Sequence, residues 1–242
     1  MKRVHVIGIR GFGCVVSMGL TLALASIAAG QMTIINTATT ETLAKKSFYF
    51  EADVIFKPEK WDKGGFQTYG YRTVYGIDNK TEAGINFFYT RNGSTSPKEL
   101  SVSIKRNFFA SERLNAAAAA GATVYVPLND SAGDRVTTFA YGNASKGFKR
   151  LRGLKLTGGV YRVFNGGRGF GTRQGVTAAI EQPLTSRISL VADWISGSNR
   201  FGYAAAGVNV QLTKRQFILT TFNVGNSGRG NNFFAIFYGY TY

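Results

Sequence analysis

Between residues 48 and 57 the chain alternates, with Phe48, Phe50, Ala52, Val54 and Phe56 apolar and Glu51, Asp53 and Lys57 on the opposite phase. Side chains of a strand point to opposite faces with a period of two, so this spacing builds one greasy face and one polar face. The pattern recurs between turn-like clusters. Candidate strands fall near 47–57, 65–77, 81–91, 99–110, 114–127, 135–146, 153–165, 173–183, 187–196, 201–212, 215–225 and 232–242. After Gln31 no segment approaches the ~20 consecutive apolar residues of a spanning helix. The chain therefore either is soluble or crosses a membrane as strands.

The arithmetic favours crossing. Residues 47–242 allow roughly 16 residues per strand and connection, enough for the ~9–11 residues with which a tilted strand spans a bilayer. The predicted fold is all-β, a transmembrane antiparallel up-and-down β-barrel of about 12 strands, with about 10 or 14 as alternatives. Connections differ in kind. Those at 78–80, 111–113, 185–186 and 213–214 are short, whereas 57–64, 92–98, 128–134, 166–172, 197–200 and 226–231 are mostly longer. Such asymmetry separates short turns at one end of a barrel from long loops at the other. The run Ala116–Ala120 continues into Thr123-Val124-Tyr125-Val126 and reads as a strand with small side chains rather than as helix. The alternation blurs in the sixth, seventh and eleventh strands, at Gly158-Gly159 and Thr220-Thr221 for example, where bulges are expected.

A soluble β-sandwich would also alternate. However, Tyr69, Tyr71, Tyr75, Ile85, Phe87 and Tyr89, and Ile188, Leu190, Ala192 and Trp194, form large apolar rows opposite Arg72, Glu82, Asn86, Ser189 and Asp193. Tyr and Phe near strand ends fit the aromatic girdles of a membrane interface. In the last strand Phe234, Ile236, Tyr238, Tyr240 and Tyr242 share one face. Here the sequence resembles the outer-membrane barrels of Gram-negative bacteria as a class, whose final strand ends on an aromatic and serves as an assembly signal; Gly239 departs from their usual glycine placement. The resemblance implies recognition by the barrel assembly machinery through the C-terminal strand. No motif points to one particular family.

The N-terminus reads as an address. Lys2, Arg3, His5 and Arg10 precede a mostly apolar run over 11–29 that ends Ala28-Ala29-Gly30, the charged, apolar and small-residue regions of a signal peptide. The expected organisation is a signal peptide over 1–30, a periplasmic N-terminal segment over 31–46 and the transmembrane barrel over 47–242. The expected location is the outer membrane of a Gram-negative (diderm) bacterium, after export. Val6-Ile7-Gly8 with Gly11 and Gly13 mimics a dinucleotide-binding turn, but no Asp or Glu precedes Glu41 to bind the ribose. A lipoprotein site at Cys14 is disfavoured by the short, Arg-interrupted segment before it.

Chemistry is sparse. The one Cys and the one His of the chain, Cys14 and His5, lie in that N-terminal stretch, which argues against disulfides and soft-metal sites. No cofactor or metal is expected. Outer-membrane hydrolases mostly use a His as base, so no enzymatic activity is expected; Ser101 or Ser103 beside Lys105 reads more simply as lumen lining. The net charge of +16 is scattered among turns rather than gathered on one face, which disfavours nucleic acid. Its one dense cluster is Lys146, Lys149, Arg150 and Arg152.

The predicted inner face carries Glu51, Asp53, Arg72, Glu82, Lys105, Arg173, Glu181 and Asp193. Such mixed charge either filters a small solute or forms ion pairs that plug the lumen, because twelve strands fall between a filled and an open barrel. Lys57, Lys60, Lys63, Arg91, Lys98, Arg135, Arg168, Arg200 and Arg229 fall in or beside the longer connections and are expected to meet lipopolysaccharide phosphates or draw anions to the rim. The expected function is a monomeric, narrow, porin-like channel for small polar or charged solutes, anions among them. The alternative is a closed structural or adhesive barrel whose basic rim binds lipopolysaccharide or a surface partner. The twelve-stranded acidic-sugar and nucleoside channels are similar in size and in their charged interiors.

Overall fold

The computed structural model describes residues 32–228 and 231–242. The expected signal peptide, with Cys14 and His5, and the candidate Arg229 lie outside the described residues. Twelve strands follow in chain order: β1 (Phe48–Lys57), β2 (Phe66–Asp78), β3 (Thr81–Arg91), β4 (Lys98–Ser111), β5 (Ala116–Pro127), β6 (Thr137–Phe148), β7 (Leu154–Phe164), β8 (Gln174–Pro183), β9 (Ile188–Ile195), β10 (Tyr203–Gln211), β11 (Gln216–Gly225) and β12 (Phe233–Thr241). Each pairs antiparallel with its sequence neighbours. Pairing of β1 with β12, with Val54 opposite Ile236, closes the barrel. Closure satisfies every edge, which an unpaired strand in hydrocarbon could not do.

The connections over 79–80, 112–115, 149–153, 184–187 and 212–215 lie at one end, with the start of β1 and the end of β12; the longer ones over 58–65, 92–97, 128–136, 165–173, 196–202 and 226–232 lie at the other. The outer surface is apolar because the outward phase of the strands is mostly apolar or small, with cations such as Arg106, Lys146 and Arg162 as exceptions. Tyr71 and Val160 are each 61% exposed, and Ile85, Val102, Ile104, Leu190 and Ile236 are also open. So much contiguous apolar surface is incompatible with water. Outward-facing Tyr69, Tyr89 and Trp194 stand toward the long-loop end, while Tyr75, Tyr240 and Tyr242 stand toward the short-turn end, as two interfacial girdles do.

The bulges fall elsewhere than expected. Pairing of β6 with β7 and of β10 with β11 runs unbroken. The register shifts instead between Gly76 and Asp78 against β3, and between Asn107 and Phe109 against β5. Glycine hid the phase in β7, since Gly159 faces inward where a Cβ would stand 2.0 Å from Asn143 Oδ1. Arg162 points outward, over the ring of Phe164.

The segment before β1 is not outside the barrel. Met32, Ile34, Ile35, Thr37, Thr39, Thr40 and Leu43 are buried, and their partners are inward residues of the strands. Within the stretch expected as a periplasmic N-terminal segment over 31–46, residues 32–43 therefore sit inside the barrel. The chain reaches the wall beside Gly76, where a Cβ would sit 2.0 Å from the Ala44 carbonyl oxygen. It then turns into β1 at Lys46, whose φ of 65° is left-handed.

Candidate functional site

Inside the lumen, residues 32–39 form a tight reversal. Ile34 N–H donates to the Thr37 carbonyl at 2.7 Å and Thr39 N–H to the Met32 carbonyl at 3.1 Å. A reversal leaves the amides at its tip without partners of their own, and buried amides need them. Asp193 of β9 supplies the acceptor. Its Oδ2 receives the backbone N–H groups of Ile35, Asn36 and Thr37 at 3.2, 2.6 and 2.6 Å. The Asn36 side chain donates to Asn223 Oδ1 of β11 at 3.0 Å.

A second anchor holds the base of the reversal. Lys105 of β4 and Glu82 of β3 pair at 2.8 Å with side chains 0% and 2% exposed. Glu82 Oε2 accepts the Leu43 N–H at 2.7 Å, and Lys105 donates to Thr39 Oγ1 at 2.8 Å. Around them, Asn107 donates to the Thr40 carbonyl and Asn143 to the Ala38 carbonyl, at 2.8 and 2.7 Å. Lys155 of β7 bridges Glu41 of the segment and Glu181 of β8, at 2.8 and 2.9 Å. Burial pushes the Glu41 carboxyl up, but the Lys155 charge and hydrogen bond outweigh it and hold the group below the usual carboxylate range.

The third contact is through Arg72 of β2. It pairs with Glu51 at 2.8 Å and donates to Thr33 Oγ1 at 3.3 Å, while Glu51 also accepts the Tyr49 hydroxyl. Apolar side chains complete the fit. Met32, Ile34, Ile35 and Leu43 pack with Tyr49, Val74, Val191, Phe217, Leu219 and Phe237. The segment is thus amphipathic in a lumen that is amphipathic in the same places.

On the long-loop side of the segment the lumen opens into a cavity of about 490 Å³. Its floor includes Met32, Ile35 and Asn36, and its wall includes Asp53, Arg72, Asn86, Phe139 and Phe233. Part of its roof is the connection 196–202. Arg200 crosses the barrel mouth to make a two-pronged ion pair with Glu99 of β4, at 2.7 and 2.6 Å, and stacks over Tyr125 and Phe201. Phe201 meets Phe139 edge-on at 4.9 Å.

Of the eight expected lumen residues, Glu51, Asp53, Arg72, Glu82, Lys105, Glu181 and Asp193 line the interior. Arg173 does not. It precedes β8, is exposed, and donates to the Gly166 carbonyl of its own connection, because the strand begins one residue later than the alternation implied. Lys60, Lys63, Arg91, Lys98, Arg135 and Arg168 are exposed at the long-loop end. Two rim candidates are spoken for: Lys57, 9% exposed, pairs with Glu59, and Arg200 folds into the mouth. Exposed Lys149, Arg150, Arg152, Arg187, Lys214 and Arg215 ring the short-turn end instead, so basic charge is not confined to one rim. Tyr49, Asn107, Asn143, Lys155 and Asn223 were missed as interior partners. An inward phase occupied by polar side chains was the available signal, and it is weakest in the glycine-broken β7.

Closure, an apolar belt, a polar lumen and unequal ends define a membrane-spanning β-barrel of the outer-membrane type, with its lumen occupied by its own leading segment. No protein-family model and no curated protein matches the sequence. Solved structures are similar in architecture. They include outer membrane protein Omp33 of Acinetobacter baumannii, at 10% identity with 82% of this chain and 99% of that chain covered and a TM-score of 0.47. Outer membrane phospholipase A from Escherichia coli is similar at 10% identity, 82% and 93% coverage and a TM-score of 0.45. The translocator domain of autotransporter NalP from Neisseria meningitidis is similar at 11% identity, 81% and 86% coverage and a TM-score of 0.37. At that distance nothing of their functions transfers to this chain.

Proposed function

We propose that the protein is a narrow channel-type barrel of the Gram-negative outer membrane, held shut by its own residues 32–43 and passing small polar solutes when that segment is displaced. The observation that carries this reading is the chemistry of the seal. Asp193, Glu82, Lys105 and Asn143 hold the segment through hydrogen bonds and Lys155 through an ion pair with Glu41, groups that water can satisfy as well as the segment does. Its departure leaves a passage lined by these polar groups beside the apolar patch of Tyr49, Val74, Phe217 and Leu219. Solute selection then falls to Glu51, Arg72, Glu82, Lys105 and Asp193.

The same reading makes the protein a monomer without cofactor or catalytic role, exported by the signal peptide and assembled through β12. Lys60, Lys63, Arg91, Arg135 and Arg168 at the long-loop rim are placed to meet lipopolysaccharide phosphates and to concentrate anions.

Single-channel recording in planar bilayers tests the channel. A chain beginning at Lys45 is expected to give stable conductance, and one retaining 32–43 to be silent apart from brief openings. If the shortened chain shows heat-modifiable migration, and is therefore folded, yet carries no current above the lipid baseline, the barrel is not a conduit.

A further inference from the structure

Four connections at the short-turn end repeat one composition. Leu114 stands beside Arg113 in 112–115, Leu151 among Lys149, Arg150 and Arg152 in 149–153, Leu184 with Arg187 in 184–187, and Leu212 with Lys214 and Arg215 in 212–215. The leucines are 42–54% exposed, and the cations are exposed with them. Leu184 and Leu212 continue the outward phase of β8 and β10, whose Ala179 and Asn209 face the lumen. Among the described residues Glu112 is the one acid of these connections, and none of their cations is in an ion pair. The long-loop end mixes its signs instead. There Lys57 pairs with Glu59, Arg135 with Asp134 and Arg200 with Glu99, and Asp62 and Asp130 are exposed nearby. Unbalanced positive charge is thus densest at the short-turn end.

From this repeated pairing of leucine with cation we infer that the short-turn end is a binding surface for anionic phospholipid headgroups, in the periplasmic leaflet by the usual placement of short turns. Exposed leucine is disfavoured in water. At the edge of a bilayer it enters the acyl region, while a lysine or arginine of the same turn extends to the phosphates. Outward-facing Tyr75, Tyr240 and Tyr242 toward the same end mark the depth of that interface. Each cation close to an anionic membrane surface adds attraction, which a zwitterionic headgroup of no net charge does not supply. A water-borne acidic polymer would meet the cations but leave the four leucines in water. The surface lies outside the lumen and stands whether or not the segment leaves.

Spin-labelled lipids test the surface with the full chain reconstituted in phosphatidylcholine vesicles. Spin-labelled phosphatidylglycerol is expected to enter the motionally restricted lipid shell about fivefold more readily than spin-labelled phosphatidylcholine, the attraction of roughly one cation for an anionic surface. High salt is expected to weaken that preference. The combined variant Arg150→Gln, Arg152→Gln, Arg187→Gln, Lys214→Gln, Arg215→Gln is expected to lose most of it, and the single change Arg150→Glu to lower it in the same sense. Lys60→Gln with Lys63→Gln and Arg91→Gln, at the other rim, is expected to keep it, with heat-modifiable migration reporting that each variant is folded. No preference in the native chain, or a preference that the short-turn variants retain, overturns the assignment. A native chain that shows no lipid preference and sediments with peptidoglycan sacculi, but not once the short-turn cations are replaced, would assign the ring to the cell wall instead.

Discussion

Asp193 Oδ2 lies 2.6 Å from the backbone nitrogen of Asn36, a residue 157 positions earlier in the chain. One carboxylate oxygen gathers three consecutive amides at the tip of the reversal, much as an anion sits in a backbone nest. The contact ties the far end of the segment to the wall of the barrel.

Asp193→Ala is therefore expected to loosen the segment without opening the sheet. Three buried donors lose their acceptor, at a cost of about 1–3 kcal/mol for a group left unsatisfied. Hydrogen exchange in micelles is expected to speed up at residues 34–38 while the paired amides of β9 keep their protection. Equal loss of protection in both would mean that Asp193 supports the sheet rather than the seal.

The Glu82–Lys105 pair is expected to behave as a buried charge pair. Removing one partner strands the other, so Lys105→Met costs about 3–5 kcal/mol in chemical unfolding. The double variant Glu82→Leu, Lys105→Met is expected to lose less than either single change. A double variant that is as unstable as the sum of the two would place the energy in packing instead.

Arg200 is expected to govern access rather than stability. Its side chain is 43% exposed, so solvent screens the pair with Glu99 and Arg200→Ala changes stability by less than about 1 kcal/mol. In a Cys14→Ser background carrying Thr123→Cys, a thiol reagent is expected to react faster once Arg200 is replaced. An unchanged rate would show that the connection 196–202 stays over the mouth without its latch.

Docking of the segment is expected to weaken in acid. Glu41 is held below the usual carboxylate range when docked, so its contribution is complete above the ordinary range of a free carboxyl and is lost as pH falls through the docked value. Hydrogen exchange over residues 38–43 is expected to be faster at about pH 4 than at about pH 7, and Glu41→Gln is expected to reduce that difference. Identical profiles in the two proteins would assign the acid response to other groups.

Strand number, the phase of most strands and the inequality of the two ends were legible because each is a local property. Rows such as Tyr69, Tyr71 and Tyr75 declare a lipid face by period alone, and charged residues opposite them declare a lumen. The two bulges were not legible, since Gly76 and Asn107 look like any other strand residues until a partner strand sets the register. Arg173 was misplaced for the same reason, by a strand end that only pairing defines.

The sequence by itself determined that this chain is a barrel with an apolar outside and a charged inside, because alternation acts within each strand and needs no distant partner. Only the tertiary structure decided what fills that barrel. The Thr-rich stretch from Met32 to Leu43 has no strand to pair with in the closed sheet, and its amides find acceptors on β9 and β3, far away in the chain. Likewise Arg200 reads as a rim cation in sequence and becomes a latch only when closure brings Glu99 across from it. Contacts between opposite walls of a barrel exist only once the barrel has closed, so the seal and the cavity beside it could be seen only there.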